Sequence, residues 1–189
     1  MTGFHSEALG KHDRSAFASG NDRIDVYFRQ TVSQDVKRDY AACYVLVEKG
    51  SGKLAGFYTM SSHSIPLTEL AADVAKKLPR YPSVSAVLIG WLGRDVSFRG
   101  QHVGPMLLAD AIRRLAAAPV GIHAICADAI DAAAAAFYRE HQFQPFASRP
   151  DTFYLPMKTA RALVETGKPP RRRSRLRLAG DPTPQIRQL

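Results

Sequence analysis

This 189-residue chain has few cysteines and no long hydrophobic run. Its two cysteines, Cys43 and Cys126, lie in apolar, strand-like stretches, which excludes a disulfide scaffold and a cysteine-based zinc site and favours a reducing cytoplasm. The apolar runs fall short of the roughly 20 residues that span a bilayer. The N-terminus lacks the basic start and apolar stretch of a secretory signal. The six histidines show no metal-ligand spacing, so we expect no metal.

The net charge of +9 is concentrated at the C-terminal end. Residues 168–189 hold seven basic residues and one acidic residue, a net charge of +6, so only +3 belongs to the rest of the chain. The sequence after Pro169 and Pro170 has few apolar residues. A hydrophobic content of 46% is sufficient for a sizeable core. We therefore predict a single domain over residues 1–165 and a basic, disordered tail over residues 166–189.

The hydrophobic pattern predicts alternating strands and helices after an irregular stretch at residues 1–20. Ile24, Phe28, Val32 and Val36 recur at four-residue spacing behind a possible N-cap at residues 20–22, which indicates a first helix. Helices are also predicted at residues 67–78, ended by Pro79, and at 105–117 and 132–140. Strands are predicted at residues 42–48, 53–60, 84–92, 121–127, 143–147 and 152–157, the third of them buried on both faces. This order indicates an α/β fold with a mixed sheet flanked by helices.

A loop with two glycines joins the strand at 84–92 to the helix at 105–117. The loop, Arg99-Gly100-Gln101-His102-Val103-Gly104, can point several backbone N–H groups into one concavity, where the helix dipole and Arg99 add positive charge. The natural ligand of such a loop is a pyrophosphate. The loop matches neither Walker A nor the strict dinucleotide fingerprint, and by itself it is explained equally well as an ordinary strand-to-helix turn.

The same loop resembles the acetyl-CoA loop of the GNAT superfamily of N-acetyltransferases, whose signature is Arg/Gln-x-x-Gly-x-Gly/Ala. His102 stands where a glycine is usual, and histidine adopts left-handed backbone conformations less freely than glycine. The resemblance implies a GNAT fold with a mostly antiparallel central sheet, and acetyl-CoA as co-substrate. It also implies that the pantetheine arm pairs with the backbone of Leu92, Gly93 and Arg94. The residues that would hold the pyrophosphate are Arg99, Gly100, Gln101, His102, Val103, Gly104 and Pro105.

A second segment resembles the GNAT helix that carries the general acid. Asp131, five alanines and Phe137-Tyr138 resemble the family's Asn/Asp and Ala-Phe-Tyr-x-x-x-Gly-Phe pattern, with Gln142 in place of the glycine. The resemblance assigns Tyr138 the role of general acid, since a phenol with a pKa of about 10 stays protonated at pH 7 and can protonate a departing thiolate. The alternative is that Phe137 and Tyr138 only pack. Asp131 either contacts the cofactor or caps its helix.

Two further segments narrow the resemblance to the GNAT branch that contains the toxins of toxin–antitoxin modules. They are residues 17–29, with Phe17-Ala18-Ser19-Gly20-Asn21, and residues 155–159, Leu-Pro-Met-Lys-Thr. Trp91 stands where that branch usually has arginine. The resemblance implies a cytoplasmic homodimer that acetylates the α-amino group of aminoacyl-tRNA, blocks translation and is neutralised by a small ribbon-helix-helix antitoxin, with no membrane partner. The alternatives are a GNAT enzyme of a small amine or a protein N-terminus, and a degenerate acetyl-CoA-binding module.

Amine chemistry mildly favours an α-amino substrate. A lysine amine needs about 4–5 kcal/mol to lose its proton at pH 7, whereas an α-amine with a pKa of about 8 is already partly neutral. The predicted strand at 84–92 offers no carboxylate base, although Asp95 and Asp128 follow this strand and the next one. A tRNA substrate also requires cationic contacts. Candidates for these contacts are Arg29, Arg38, Lys76, Lys77, Arg80, Arg94, Arg113 and Arg114.

Overall fold

The computed structural model describes residues 3–78 and 81–166 and places seven strands in one sheet. The strands are β1 (Phe4–Ala8), β2 (Ala42–Glu48), β3 (Leu54–Pro66), β4 (Ser83–Arg94), β5 (Ala124–Asp128), β6 (Gln144–Pro145) and β7 (Thr152–Pro156). Their spatial order is β1-β2-β3-β4-β5-β7-β6. Only the β4–β5 pair is parallel. This confirms the predicted mixed, mostly antiparallel sheet.

Helices cover both faces of this sheet. They are α1 (Asp22–Val26), α2 (Val32–Lys37), α3 (Ala72–Ala75), α4 (Val103–Ala117), α5 (Ala132–Glu140) and α6 (Met157–Thr166), with a π-helical turn (Tyr27–Thr31) that joins α1 to α2. Neighbouring residues of a strand point to opposite faces, and β3 shows which helices lie on which face. Phe57 packs in the cluster of the π-helical turn, whereas Tyr58 packs in the cluster of α4, α5 and α6.

The first helix begins and packs as its sequence predicts. The Asn21 side chain caps α1 by accepting hydrogen bonds from the backbone N–H groups of Arg23 and Ile24 at 3.0 and 3.4 Å. Phe28 and Val32 of the apolar stripe are fully buried, and the Phe28 ring stacks on Phe57 with centroids 3.9 Å apart. The predicted helix is thus continuous through α2, with one wider turn in its middle.

Several predictions about elements are wrong. Residues 1–20 are not wholly irregular, because Phe4–Ala8 forms an edge strand against β2. The predicted helix at 67–78 is a 3₁₀ turn followed by the short α3, since β3 runs on to Pro66 and neither helical turn has a side-chain cap. The strand at 143–147 shrinks to Gln144–Pro145, because proline cannot donate to a ladder. Met157, predicted to end a strand, instead begins α6, an amphipathic helix that was not predicted.

The strand at 84–92 is longer than predicted and is not buried on both faces throughout. Ile89 is buried, but Leu88 and Leu92 are half-buried and Gly90 is exposed, because this part of β4 borders a cavity. The predicted tail covers residues 166–189; Thr166 ends α6, and residues 167–189 lie outside the described part of the chain, as do Pro79 and Arg80. No helix within the described residues is long and apolar enough to cross a membrane.

Candidate active site

The sheet splits between its two parallel strands. β4 and β5 pair from Ala86 with Ala124 to Ile89 with Ala127, and β4 then continues to Arg94 without a described strand on that side. The backbone N–H and C=O groups along this free edge are available to an extended ligand, which could pair with them as an added strand would. Leu92, Gly93 and Arg94, the residues predicted to bind the pantetheine arm, all lie on this stretch.

A β-bulge shapes β4 at the start of the free edge. Tyr58 of β3 pairs with Leu92 and Met60 pairs with Ile89, so three steps along β4 oppose two steps along β3. The extra residue falls at Gly90 and Trp91, and the Trp91 N–H donates to the hydroxyl of Thr59 at 3.0 Å instead of to a ladder carbonyl. Bulges re-aim backbone and side chains near sites, and this one lies at the mouth of the split.

The split opens into a cavity of about 470 Å³. Its walls come from α1, β4, the end of β5 and α5. The lining residues are Arg23, Ile24, Leu88, Gly90, Trp91, Leu92, Asp128, Ala129, Ile130, Ala134 and Tyr138. The structure therefore brings Leu92 and Tyr138, predicted separately from two motifs, to the same cavity. Gly93 does not line the cavity, and an added Cβ there would meet the side chains of Ile24 and Phe57.

The predicted anion loop links this edge to α4. A 3₁₀ turn (Val96–Phe98) leads into residues 99–102, and α4 begins at Val103. Gly100 has a φ of +82°, and His102 has a φ of +57° and a ψ of +23°. His102 thus adopts the left-handed conformation that glycine adopts most readily, at a cost of about 1–2 kcal/mol for an L-residue.

The start of α4 fits an anion. No described side chain caps the helix, so its first-turn N–H groups lack the partner that a capping residue would supply. Arg99, Gly100, Gln101 and His102 are exposed beside these groups, and Pro105 lies in the first turn, where its missing N–H removes no hydrogen bond. Uncapped N–H groups at the positive end of a 15-residue helix suit a pyrophosphate.

Tyr138 presents a phenol to the cavity from the second turn of α5. Its ring is 5% exposed and packs against Phe137, Phe143 and Phe153. The hydroxyl has no hydrogen-bond partner among the described residues, although the side chain lines the cavity. Burial, and secondarily the charge of Asp128, raise the pKa of Tyr138 well above its ordinary value. The phenol therefore remains a proton donor at neutral pH.

Two curated relatives match most of the chain. A protein named as a probable toxin, TacT, from Sinorhizobium fredii is 33% identical over 163 residues, which is 82% of this chain and 90% of that protein. A tRNA-acetylating toxin from Mycobacterium tuberculosis is 31% identical over 154 residues, which is 80% of this chain and 90% of that one. The chain belongs to the GNAT-type tRNA-acetylating toxins. No family model matches it.

The fold agrees with membership of the tRNA-acetylating toxin family. The solved structure of AtaT complexed with acetyl-methionyl-tRNAfMet superposes with a TM-score of 0.78 at 23% identity, and the match covers 85% of this chain and 99% of that chain. Identity at this level speaks for the fold alone. The GNAT fold implied by the acetyl-CoA loop is therefore confirmed.

Two acidic residues near the toxin's site have structural roles. Asp131 caps α5, because its carboxylate accepts a hydrogen bond from the backbone N–H of Ala134 at 2.7 Å, and it does not line the cavity. Asp95 is 7% exposed and accepts from the backbone of Ala18 and from Ser97. Burial opposes the ionisation of Asp95, but the hydrogen bonds from Ser97 and Ala18 outweigh it and hold its pKa below the ordinary value.

Asp128 is the single carboxylate among the residues that line the cavity. It ends β5, is exposed, and accepts a hydrogen bond from the Thr152 hydroxyl at 2.7 Å. Arg23 and Ile24 also line the cavity, and they were missed as site residues because nothing local in the N-terminal helix connects it to β4. Among the described residues, no group of three His, Cys, Asp or Glu could hold a metal ion.

The candidate tRNA-binding cations differ in exposure and in the contacts that they already make within the protein. Arg114 and Arg113 contact the carboxylate of Asp110 at 2.9 and 3.5 Å, and Arg29 approaches Asp25 at 3.7 Å. Arg94 is half-buried and donates to the backbone oxygen of Asp95. Arg38, Lys76 and Lys77 are exposed, and Arg80 lies outside the described residues.

Proposed function

We propose that this chain transfers the acetyl group of acetyl-CoA to the α-amino group of aminoacyl-tRNA and thereby blocks translation. The observation that carries the proposal is the cavity in the split sheet. It joins a free strand edge, which can align a pantetheine arm, to a protonated phenol, and the same strand leads into an uncapped helix start that can hold a pyrophosphate.

Acetyl-CoA supplies an activated acyl group as its thioester. The first-turn N–H groups of α4, together with Arg99, bind the pyrophosphate, and the backbone of Leu92 to Arg94 orients the pantetheine arm. As the new C–N bond forms and the C–S bond breaks, Tyr138 donates its proton to the departing sulfur. The attacking amine releases its own proton to water or to Asp128, the carboxylate in the cavity.

The substrate's amine chemistry agrees with this arrangement. Asp128 is exposed and already accepts a hydrogen bond from Thr152, so no buried carboxylate base faces the amine among the residues that line the cavity. A lysine substrate would require about 4–5 kcal/mol for deprotonation at pH 7, whereas an α-amine with a pKa of about 8 requires far less. A cavity with one such carboxylate is therefore better suited to an α-amine.

The family also supports proposals about context. We infer a cytoplasmic homodimer that is neutralised by a small ribbon-helix-helix antitoxin. We further infer that residues 1–165 form the catalytic domain, with the Arg-rich segment from residue 166 onwards as a disordered tail. Size measurement by light scattering, and co-purification with the product of an adjacent short gene, test the first pair of inferences.

The decisive experiment combines labelled acetyl-CoA, bulk charged tRNA and three forms of the protein. The wild type should acetylate charged tRNA, and Tyr138→Phe should lower kcat by about 10²–10⁴-fold, the usual contribution of a general acid. Tyr154→Phe is the matched control, because it removes the hydroxyl of another buried tyrosine that packs in a different cluster. It should leave the rate unchanged.

Three results would redirect the proposal. A Tyr138→Phe variant with the wild-type rate would remove this residue from the mechanism. Label on small amines or peptide N-termini but not on charged tRNA would favour a different GNAT acceptor. Calorimetry that detects binding of acetyl-CoA, together with no transfer of label to any acceptor, would favour a degenerate acetyl-CoA-binding module.

A further inference from the structure

Trp91 and Tyr27 form a stacked aromatic pair beside the cavity. Their ring centroids are 4.2 Å apart and their planes differ by 11°. Hydrogen bonds hold the Tyr27 ring and the Trp91 backbone in place. The Tyr27 hydroxyl donates to a carboxylate oxygen of Asp35 at 2.9 Å, and the Trp91 backbone N–H donates to Thr59 at 3.0 Å. The pair is therefore a preorganised surface.

The pair lies where two cavities meet. A second, shallow cavity of about 450 Å³ is lined by Asp22, Arg23, Val26, Tyr27, Thr31 and Trp91. Trp91 and Arg23 line both this cavity and the one that contains Tyr138. Val26, 47% exposed, adds an aliphatic side chain to the floor. An apolar surface thus continues outward from the place where the acetyl group would be transferred.

The two faces of the sheet offer two separate approaches to the split. The anion loop leads into α4, which packs on the face of Tyr58 and Leu92. Trp91 packs with Tyr27 in the cluster on the opposite face. If the acyl carrier reaches the split from the α4 face, the acceptor amine enters from the other face and passes Trp91.

We propose that the Trp91–Tyr27 pair, with Val26, binds the side chain of the aminoacyl group and selects aminoacyl-tRNAs that carry apolar or aromatic side chains. This rests on the proposed function. Tyr27 is only 8% exposed and backs the Trp91 ring, so the half-buried Trp91 and the exposed Val26 supply most of the area for an apolar side chain, and a planar ring can stack on Trp91. The rim carries one carboxylate and one guanidinium, Asp22 and Arg23, so its charges do not favour an ionised side chain of either sign.

The test uses one tRNA body charged with different amino acids, so that contacts to the RNA stay constant. For the wild type, kcat/KM should be at least about ten-fold higher with phenylalanine or methionine than with glycine, aspartate or lysine. Trp91→Ala should reduce this ratio towards one, while Trp91→Phe should keep most of it. Val26→Asp, a change at an exposed position, should lower the ratio without affecting the fold.

The control variant is Tyr81→Ala, which removes a 67% exposed aromatic side chain just before β4, at the end of that strand away from Trp91. It should preserve the ratio. Equal wild-type rates for all charged forms would overturn the side-chain proposal while the proposed function stands, and so would a preference that survives both Trp91→Ala and Val26→Asp. A wild type that acetylates no charged form would overturn the proposed function itself.

Discussion

Removal of the Asp110 carboxylate should destabilise the protein more than most single substitutions. Asp110, on α4, is 8% exposed. One of its oxygens accepts hydrogen bonds from Ser6 of β1 and Tyr58 of β3, each at 2.6 Å, and from Arg114 of α4 at 2.9 Å. A single side chain therefore connects α4, and with it the anion loop, to the edge strand and to the middle of the sheet.

The magnitude follows from what Asp110→Ala would leave behind. The fully buried Tyr58 hydroxyl would lose its partner, which costs about 1–3 kcal/mol. Ser6 and Arg114 would each lose a hydrogen bond worth about 1 kcal/mol, with the Arg114 contribution already discounted because its side chain is 33% exposed. We expect the free energy of unfolding to fall by about 3–5 kcal/mol. Asp110→Asn keeps one acceptor oxygen and should cost about 1–2 kcal/mol.

Urea unfolding followed by circular dichroism measures both values. A Tyr58→Phe background supplies the control, because it removes the hydroxyl that would be stranded. In that background Asp110→Ala should cost about 1–3 kcal/mol less than in the wild type. A loss below about 1 kcal/mol for Asp110→Ala in the wild type, or an equal loss in both backgrounds, would refute the reasoning.

Three other predictions concern a tightly packed glycine, stability at low pH and the reactivity of the two cysteines. Gly56→Ala places a Cβ 2.7 Å from a backbone oxygen of β4 and should lower unfolding free energy by about 1–3 kcal/mol, whereas Gly121→Ala, with open space around it, should not. Burial opposes ionisation of Asp110, but hydrogen bonds from Ser6, Tyr58 and Arg114 hold its pKa below the ordinary value. The stabilisation by ionised Asp110 is therefore complete above a pH of about 4 and is lost as the pH falls through the lowered pKa. The difference in free energy of unfolding between the wild type and Asp110→Asn should shrink in acid, and a difference that stays constant would contradict this. Burial raises the pKa of Cys43 and Cys126 to about 12, so a thiol reagent at pH 8 should label neither until the protein is unfolded.

Sequence patterns predicted the elements whose causes are local. Asn21 and Asp131 cap the helices that follow them through bonds that span two or three residues, and such signals are visible in the sequence. β1 is different, since Phe4 pairs with Glu48, and its five residues show no apolar alternation. α6 was missed because Leu155-Pro156-Met157 continues a strand pattern, and only packing of Met157 and Ala160 onto the core distinguishes the helix.

The candidate site also combines features with local sequence signals and features that depend on pairing between distant segments. The anion loop and Tyr138 are predictions from motifs, each of which lies within one short segment. The cavity lined by Leu92 and Tyr138 exists because pairing between β4 and β5 stops at Ile89 and Ala127, and the sequence does not indicate where that pairing ends. The nearly unbroken apolar run at residues 84–92 predicts full burial, yet four of its nine residues line the cavity in the split.

His102 shows why a departure from a motif need not be a departure from its geometry. The motif specifies a residue type, whereas the turn into α4 specifies a backbone conformation. Histidine supplies the left-handed φ of +57° at a cost of about 1–2 kcal/mol, which the packing of α4 can offset because Val103, Leu107 and Leu108 are buried immediately after the turn. The first-turn N–H groups of α4 therefore stay uncapped and keep the orientation that a glycine at position 102 would give them. The exposed imidazole stands beside the same amides, so its effect on acetyl-CoA is a matter of contact and charge rather than of fold.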